Sequence, residues 1–340
     1  MIKSSKETAK KKKEKIVKNS VKKDFSEQDI RPCNIDEIIG REKEKKTIKM
    51  MVNSARKRGE VVDHILFYGP PGLGKTTFAM AIANEIGSSI RVTSGPAIER
   101  QGDLAAILTN LNANDVLFID EIHRLSRSVE EILYPAMEDK VLDIVMGKGP
   151  SAKTVRLNLE PFTLIGATTQ IGKISSPMRD RFGLIQRLDF FGMEDLVNIL
   201  NRAAGLWNID IDDEALRELT KRSRGTARVG LRLLRRVRDY AQTKGHDSVD
   251  KDIVRETMNL LSIDRYGLEE IDKEILRVIY ADFDGGPVGI STLAASVSED
   301  ISTIMEVYEP FLMKKGFLKR TSRGRVLTDR GVKYITEDDE

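Results

Sequence analysis

Ile65-Leu66-Phe67-Tyr68-Gly69-Pro70-Pro71-Gly72-Leu73-Gly74-Lys75-Thr76-Thr77 decides how this chain folds. Four apolar residues, too short a run for a helix, end at a glycine-rich turn, and helical spacing follows from Thr76 to Ile86. Gly69–Thr76 has the form G-x-x-x-x-G-K-[ST] between a strand and a helix, the setting that gives this pattern its meaning. Gly69, Gly72 and Gly74 let the backbone turn its N–H groups inward around phosphates, and the helix N-terminus adds positive potential. Lys75 is expected to reach the β- and γ-phosphates and the Thr76 hydroxyl to ligate Mg²⁺. Thr77 should face the α-phosphate side.

Downstream, Val116-Leu117-Phe118-Ile119 reads as a second buried strand that delivers Asp120 and Glu121 to its C-terminal edge, where ligands bind in open α/β sheets. Two adjacent carboxylates, with Asp120 44 residues beyond Thr76, suit a hydrolytic site. Asp120 would hold Mg²⁺ through water and Glu121 would polarise the attacking water. Gly166-Ala167-Thr168-Thr169 ends another strand of the sheet, and Thr168 is expected to reach the γ-phosphate or the attacking water. Ser175–Gly183 carries two arginines before the last strand. Arg181, anchored beside Phe182, is expected to act on a neighbour's nucleotide, with Arg179 second to it. Arg228, at a helix start after Gly225-Thr226, could reach the γ-phosphate from a second domain.

Short strands at Ile90–Val92, Phe162–Ile165 and Ile185–Phe190, alternating with helical segments, complete a parallel sheet sandwiched by helices. Val141–Met146 and Thr154–Leu159 flank Gly147-Lys148-Gly149-Pro150 and predict a hairpin projecting from that sheet. Strands stop after about residue 191. Four helices follow, over Leu196–Ala204, Asp213–Lys221, Arg228–Ala241 and Asp252–Leu261, with N-caps supplied by Asp212-Asp213 and Ser248-Val249-Asp250. Beyond Asp264, helical patterns at Ile271–Ile279, Ile290–Ala295 and Ile301–Lys314 precede two strands, Gly316–Lys319 and Arg325–Thr328. That layout is a winged helix-turn-helix, a DNA-binding architecture. The expected division is a basic disordered tail over 1–23, an ATPase domain over 24–191, a helical lid over 192–263 and a winged-helix head over 264–340.

The charge balance fits this division. Lys plus Arg number 56 against 53 acids, a net +3, but residues 1–23 alone contribute +8. The body is therefore net −5 and no uniform nucleic-acid coat. Its basic residues concentrate at Arg217–Arg238, where most read as solvated or salt-bridged helix faces, and around the wing. There Arg320, Arg323 and Arg325 are the expected DNA-backbone contacts. One cysteine and three histidines exclude a disulfide scaffold and a Cys-rich zinc module. The sequence offers no membrane span and no secretory signal, so a cytoplasmic protein is expected.

With these pieces in place the chain resembles the AAA+ ATPases, and among them the RuvB family of Holliday-junction branch-migration motors. The likeness rests on His64–Thr77, Asp115–Leu125, Gly147–Lys153, Pro161–Thr169, Arg222–Thr226, Gly285–Gly289 and Val307–Phe317. It implies a homohexameric ring around double-stranded DNA, ATP and Mg²⁺ as substrate and cofactor, and docking to RuvA through the hairpin of about Val141–Leu159. RuvC is the implied resolvase partner. It also implies that Ile30, Arg31 and Phe191 lie beside the base, that Glu138, Asp139 and Lys140 approach a nucleotide, and that Arg228 is a second sensor. Ala227 before Arg228, Phe191 and Ser322 in the wing depart from the family pattern. A clamp-loader-like remodeller and a nucleotide-switched DNA-binding regulator are the alternatives. The wing and the GKGPSAK stretch weigh against the first, and the Asp120-Glu121 pair against the second.

Overall fold

The structure, a computed structural model, describes residues 30–146 and 153–338. The tail over 1–23 and the turn over 147–150 lie outside the described residues. Helix α1 (Glu42–Arg58) leads into β1 (Ile65–Tyr68), α2 (Lys75–Ile86), β2 (Ile90–Ser94), α3 (Gln101–Leu108), β3 (Val116–Asp120) and α4 (Arg127–Glu138). The hairpin strands β4 (Val141–Met146) and β5 (Lys153–Asn158) come next, then β6 (Thr163–Thr168), the short α5 (Ser176–Arg179) and β7 (Leu184–Arg187).

Five strands form one parallel sheet in the order β2-β3-β6-β1-β7. Successive side chains on a strand point to opposite faces, so each central strand feeds two cores. Ile65, Phe67, Val116, Phe118, Ile165 and Ala167 pack with α1 and α2. Leu66, Leu117, Ile119 and Leu164 pack with α3 and α4 on the other face. This order places the C-terminal ends of β1, β3 and β6 side by side, with Tyr68 opposite Thr168 and Ile119 opposite Gly166. The hairpin is a separate two-stranded ladder in which Asp143 pairs with Arg156.

The lid comprises α6 (Met193–Leu206), α7 (Asp213–Arg222), α8 (Ala227–Lys244) and α9 (Lys251–Leu260) around Leu200, Leu219, Leu234 and Val254. Asp212, Thr226 and Asp250 cap the last three, each side chain accepting from a backbone N–H in the first turn. Most of its basic run is internally paired: Arg217 with Glu194, Arg222 with Glu218 and Arg236 with Asp239.

The head comprises α10 (Glu270–Ala281), α11 (Ile290–Ser296), α12 (Ile301–Thr303), α13 (Glu309–Lys315), β8 (Leu318–Thr321), β9 (Gly324–Leu327) and α14 (Asp329–Asp338). One continuous helix is expected over Ile301–Lys314, but a π-turn at Ile304–Tyr308 divides it. Pro310 has no N–H to donate back along the helix, so the ladder widens by one residue just before it. The Arg224 guanidinium ties lid to head. It forks onto Asp272 at 3.0 and 3.1 Å, with both partners buried, and lies 4.2 Å from the Phe311 ring centroid.

Candidate active site

The glycine-rich turn after β1 opens one wall of a cleft between sheet and lid. Gly69 (φ +143°) and Gly72 (φ +77°) hold backbone that favours glycine. A Cβ on Gly69 would meet the Leu188 carbonyl oxygen at 2.2 Å, and one on Gly72 would meet Arg228 Cβ at 2.9 Å. The turn therefore needs bare backbone to pass the β7 exit on one side and the lid on the other. Arg228, at the start of α8, closes the cleft from the lid side, capped there by Thr226.

Ile30, Arg31, Gly72, Gly74, Lys75, Thr76, Thr77, Asp120, Glu121, Phe191 and Arg228 all line this cleft. The Lys75 amine is buried and donates to the Gly69 and Pro70 carbonyls at 2.8 and 2.9 Å. Burial lowers its pKa to about 8, against the pull of Glu121 and Asp120. Asp120 Oδ1 accepts from the Glu121 N–H at 3.0 Å, and Glu121 is left-handed (φ +48°), so the two carboxylates leave the strand in different directions. This donor set fits a nucleotide with Mg²⁺. A cradle of N–H groups without Cβ atoms faces a buried ammonium, and Thr76 and Asp120 supply hard oxygen ligands.

Two expectations need correction. Thr168 does not face the cleft: it is fully buried, its hydroxyl 2.9 Å from His123 Nδ1 and accepting from the Gln170 N–H at 2.9 Å. Strand alternation turns the next residue outward, and Thr169 Oγ1 donates to Glu121 Oε2 at 3.3 Å. Arg325 is not available to DNA. It is 8 % exposed and, with Arg320, grips the buried Glu309, each at 2.9 Å. Burial pushes the Glu309 carboxyl up, but the hydrogen bonds from Arg320 and Arg325 outweigh it and hold it below the ordinary value. Glu309 thus anchors the wing to α13; Arg320 stays half exposed while paired there, and Arg323 and Lys319 are exposed beside it.

Arg181, Glu138, Asp139 and Lys140 do not join the cleft of their own subunit. Arg181 pairs with Glu138 and stands 4.7 Å from the Tyr134 ring centroid. The Lys140 amine caps the Met137 carbonyl and lies over the Phe162 ring. Arg41 is among the cleft residues that escape sequence reasoning. Arg41 lies 4.4 Å from the Phe191 ring centroid and donates to the Leu73 and Asp189 carbonyls at 3.2 and 2.7 Å. Its signal was a cation at the N-terminus of α1, where a helix disfavours positive charge and another reason for it is needed.

Comparison with known proteins agrees with this geometry. Residues 30–188 match the family described as the Holliday junction DNA helicase RuvB P-loop domain, 191–264 the RuvB AAA lid domain, and 265–336 the RuvB C-terminal winged helix domain. The Holliday junction branch migration complex subunit RuvB of Clostridium kluyveri is 54 % identical over 312 residues, 92 % of this chain and 89 % of that one. The solved Thermotoga maritima RuvB Holliday junction branch migration motor is 48 % identical with a TM-score of 0.83, covering 90 % of this chain and 98 % of that one. A point variant of it reaches 0.84 at 49 % identity over the same shares.

Proposed function

Since this chain belongs to the RuvB family of P-loop ATPases, we propose that it hydrolyses ATP at the cleft of Lys75, Glu121 and Arg228 to drive branch migration of Holliday junctions. The observation that carries this reading is the meeting of Gly72 with Arg228, which joins the phosphate turn to the lid. A lid that touches the nucleotide cradle can turn nucleotide exchange into domain rotation.

In this reading the backbone of Gly72 and Gly74, with Lys75, holds the phosphates, and Thr76 and Asp120 hold Mg²⁺. The ion neutralises phosphate charge. Glu121 orients the attacking water and takes up its proton, and Thr169 keeps that carboxylate aimed. Ile30, Arg31, Arg41 and Phe191 surround the base. Arg181 serves the site of the adjacent subunit, supported by its distance from its own cleft, and Glu138 accompanies it there. This trans arrangement requires a ring, for which we propose a homohexamer around double-stranded DNA. RuvA would dock on the hairpin of about Val141–Leu159 and RuvC would act in the same resolving complex. The domain limits are those given above: ATPase to 191, lid to 263, head beyond. No helix among the described residues is long and apolar enough to cross a membrane. We place the protein in the cytoplasm, with its DNA.

Nucleotide binding and turnover separate the roles. Lys75→Ala should abolish ATP binding, whereas Glu121→Gln should bind ATP and lower hydrolysis by about 100-fold or more. Normal hydrolysis by Glu121→Gln would overturn the assignment of the base.

A further inference from the structure

A path of short polar contacts leaves the cleft and ends in the head. Glu121 Oε2 lies 3.2 Å from His123 Nδ1, which lies 2.9 Å from Thr168 Oγ1. Thr168 Oγ1 also accepts from the Gln170 N–H at 2.9 Å, and the Gln170 side-chain amide donates to Glu306. Glu306 sits in the π-turn of the head. Thr168, at the middle of the path, is fully buried.

The last link spans bodies that must move relative to one another. The buried Arg224–Asp272 pair locks the head to the lid, so lid rotation carries Glu306 with it. Gln170 follows β6 and stays with the sheet. The Gln170–Glu306 contact therefore cannot survive a lid rotation unchanged, and its loss frees the residue whose backbone holds Thr168 and, through it, His123.

We propose that Glu306 is a positioning residue for hydrolysis: from the DNA-binding head it sets the pose of Glu121 through Gln170, Thr168 and His123. This rests on Glu121 being the hydrolytic base. Force on the head from DNA would then reach the ATP site of the same subunit without passing through the nucleotide.

The test is steady-state ATP hydrolysis by the full chain, with and without a synthetic four-way junction, for Gln170→Glu, Glu306→Gln and the double swap. Gln170→Glu faces Glu306 with a like charge. It should lower the junction-stimulated kcat about threefold while KM for ATP holds, because no cleft residue changes. The swap rebuilds the hydrogen bond with donor and acceptor exchanged and should restore the parent kcat, an outcome that rules out a mere folding defect. Thermal melting and Gln170→Ala, expected to show the same kcat loss, accompany it. Parent-like kcat in Gln170→Glu and Gln170→Ala, or a swap no better than Gln170→Glu alone, would overturn the proposal. Glu121→Gln measured alongside keeps the two readings apart. If it is inactive and Gln170→Glu is unimpaired, the base stands and the relay falls; if Glu121→Gln is active, the base itself is wrong.

Discussion

Arg181 donates to Glu138 across 2.9 Å and stands over the Tyr134 ring, and none of the three lines the phosphate cleft of its own subunit. A guanidinium so placed, on the loop between α5 and β7, has a carboxylate to hold it and an aromatic face to lie on. It is poised at a surface rather than in its own site.

The trans role predicts complementation. Arg181→Ala alone should lose about 10³-fold in kcat, and Glu121→Gln alone should be inactive. Mixed before assembly, the two should regain hydrolysis, because a Glu121-intact site can meet an Arg181-intact neighbour. Measured turnover of the mixture that equals the sum of the inactive parents would place Arg181 in its own subunit's site.

The Glu309 anchor separates two kinds of wing arginine. Arg325→Ala leaves a carboxylate that is 2 % exposed short of a partner and should destabilise the head by about 3 kcal/mol, read as a lower unfolding midpoint. Arg323→Ala should leave that midpoint unchanged and reduce the slope of log affinity for duplex DNA against log salt by about 1. Equal effects of both variants on stability would contradict the assignment.

Thr169 and Thr168 should differ in the same manner. Thr169→Val removes a donor to Glu121 and should lower kcat about tenfold with ATP affinity retained. Thr168→Val removes the acceptor of the Gln170 N–H within a buried network and should cost about 1–3 kcal/mol of stability, beside the loss of junction-stimulated kcat that the path to Glu306 implies. Urea unfolding and single-turnover hydrolysis of the two variants distinguish the roles.

His64 gives a pH dependence of stability. Its Nδ1 accepts from the Leu164 N–H at 2.8 Å while Nε2 faces the Met137 carbonyl at 3.1 Å, so the neutral ring is already satisfied. Burial, aided by the nearby Lys140 charge, lowers its pKa to about 4. The unfolded chain takes up this proton near pH 6.5 and the folded chain does not. Stability from this group is complete above about pH 7 and falls as pH drops toward 4, by about 2 kcal/mol at pH 5. Urea midpoints at pH 7.5 and 5.0 should separate less in His64→Gln than in the parent by that amount. An equal loss in both proteins would contradict it.

The sheet was legible because buried parallel strands are written as short apolar runs. Ile65–Tyr68 is β1 to the residue, and the runs that became β2, β3 and β6 lie within a few residues of the strands observed. Helix α1 carries no such signature, since Lys43, Lys45, Lys46 and Lys49 interrupt its apolar face and only Ile48, Val52 and Ala55 are buried. The phosphate turn and carboxylate pair were readable because backbone chemistry demands glycine, lysine and adjacent acids in sequence. Which of Thr168 and Thr169 reaches Glu121 depends on where the pleat of β6 ends, a matter of one residue. Whether Arg325 points outward depends on Glu309, sixteen residues away, and no local pattern announces that pairing.

ATP hydrolysis at this cleft should move DNA junctions. The most direct measurement is conversion of a synthetic four-way junction to duplex arms by the purified chain with RuvA, in parallel with phosphate release. Junction movement should require ATP and Mg²⁺ and vanish in Glu121→Gln while ATP binding persists. Phosphate release at a normal rate with a stationary junction, with and without RuvA, would contradict it.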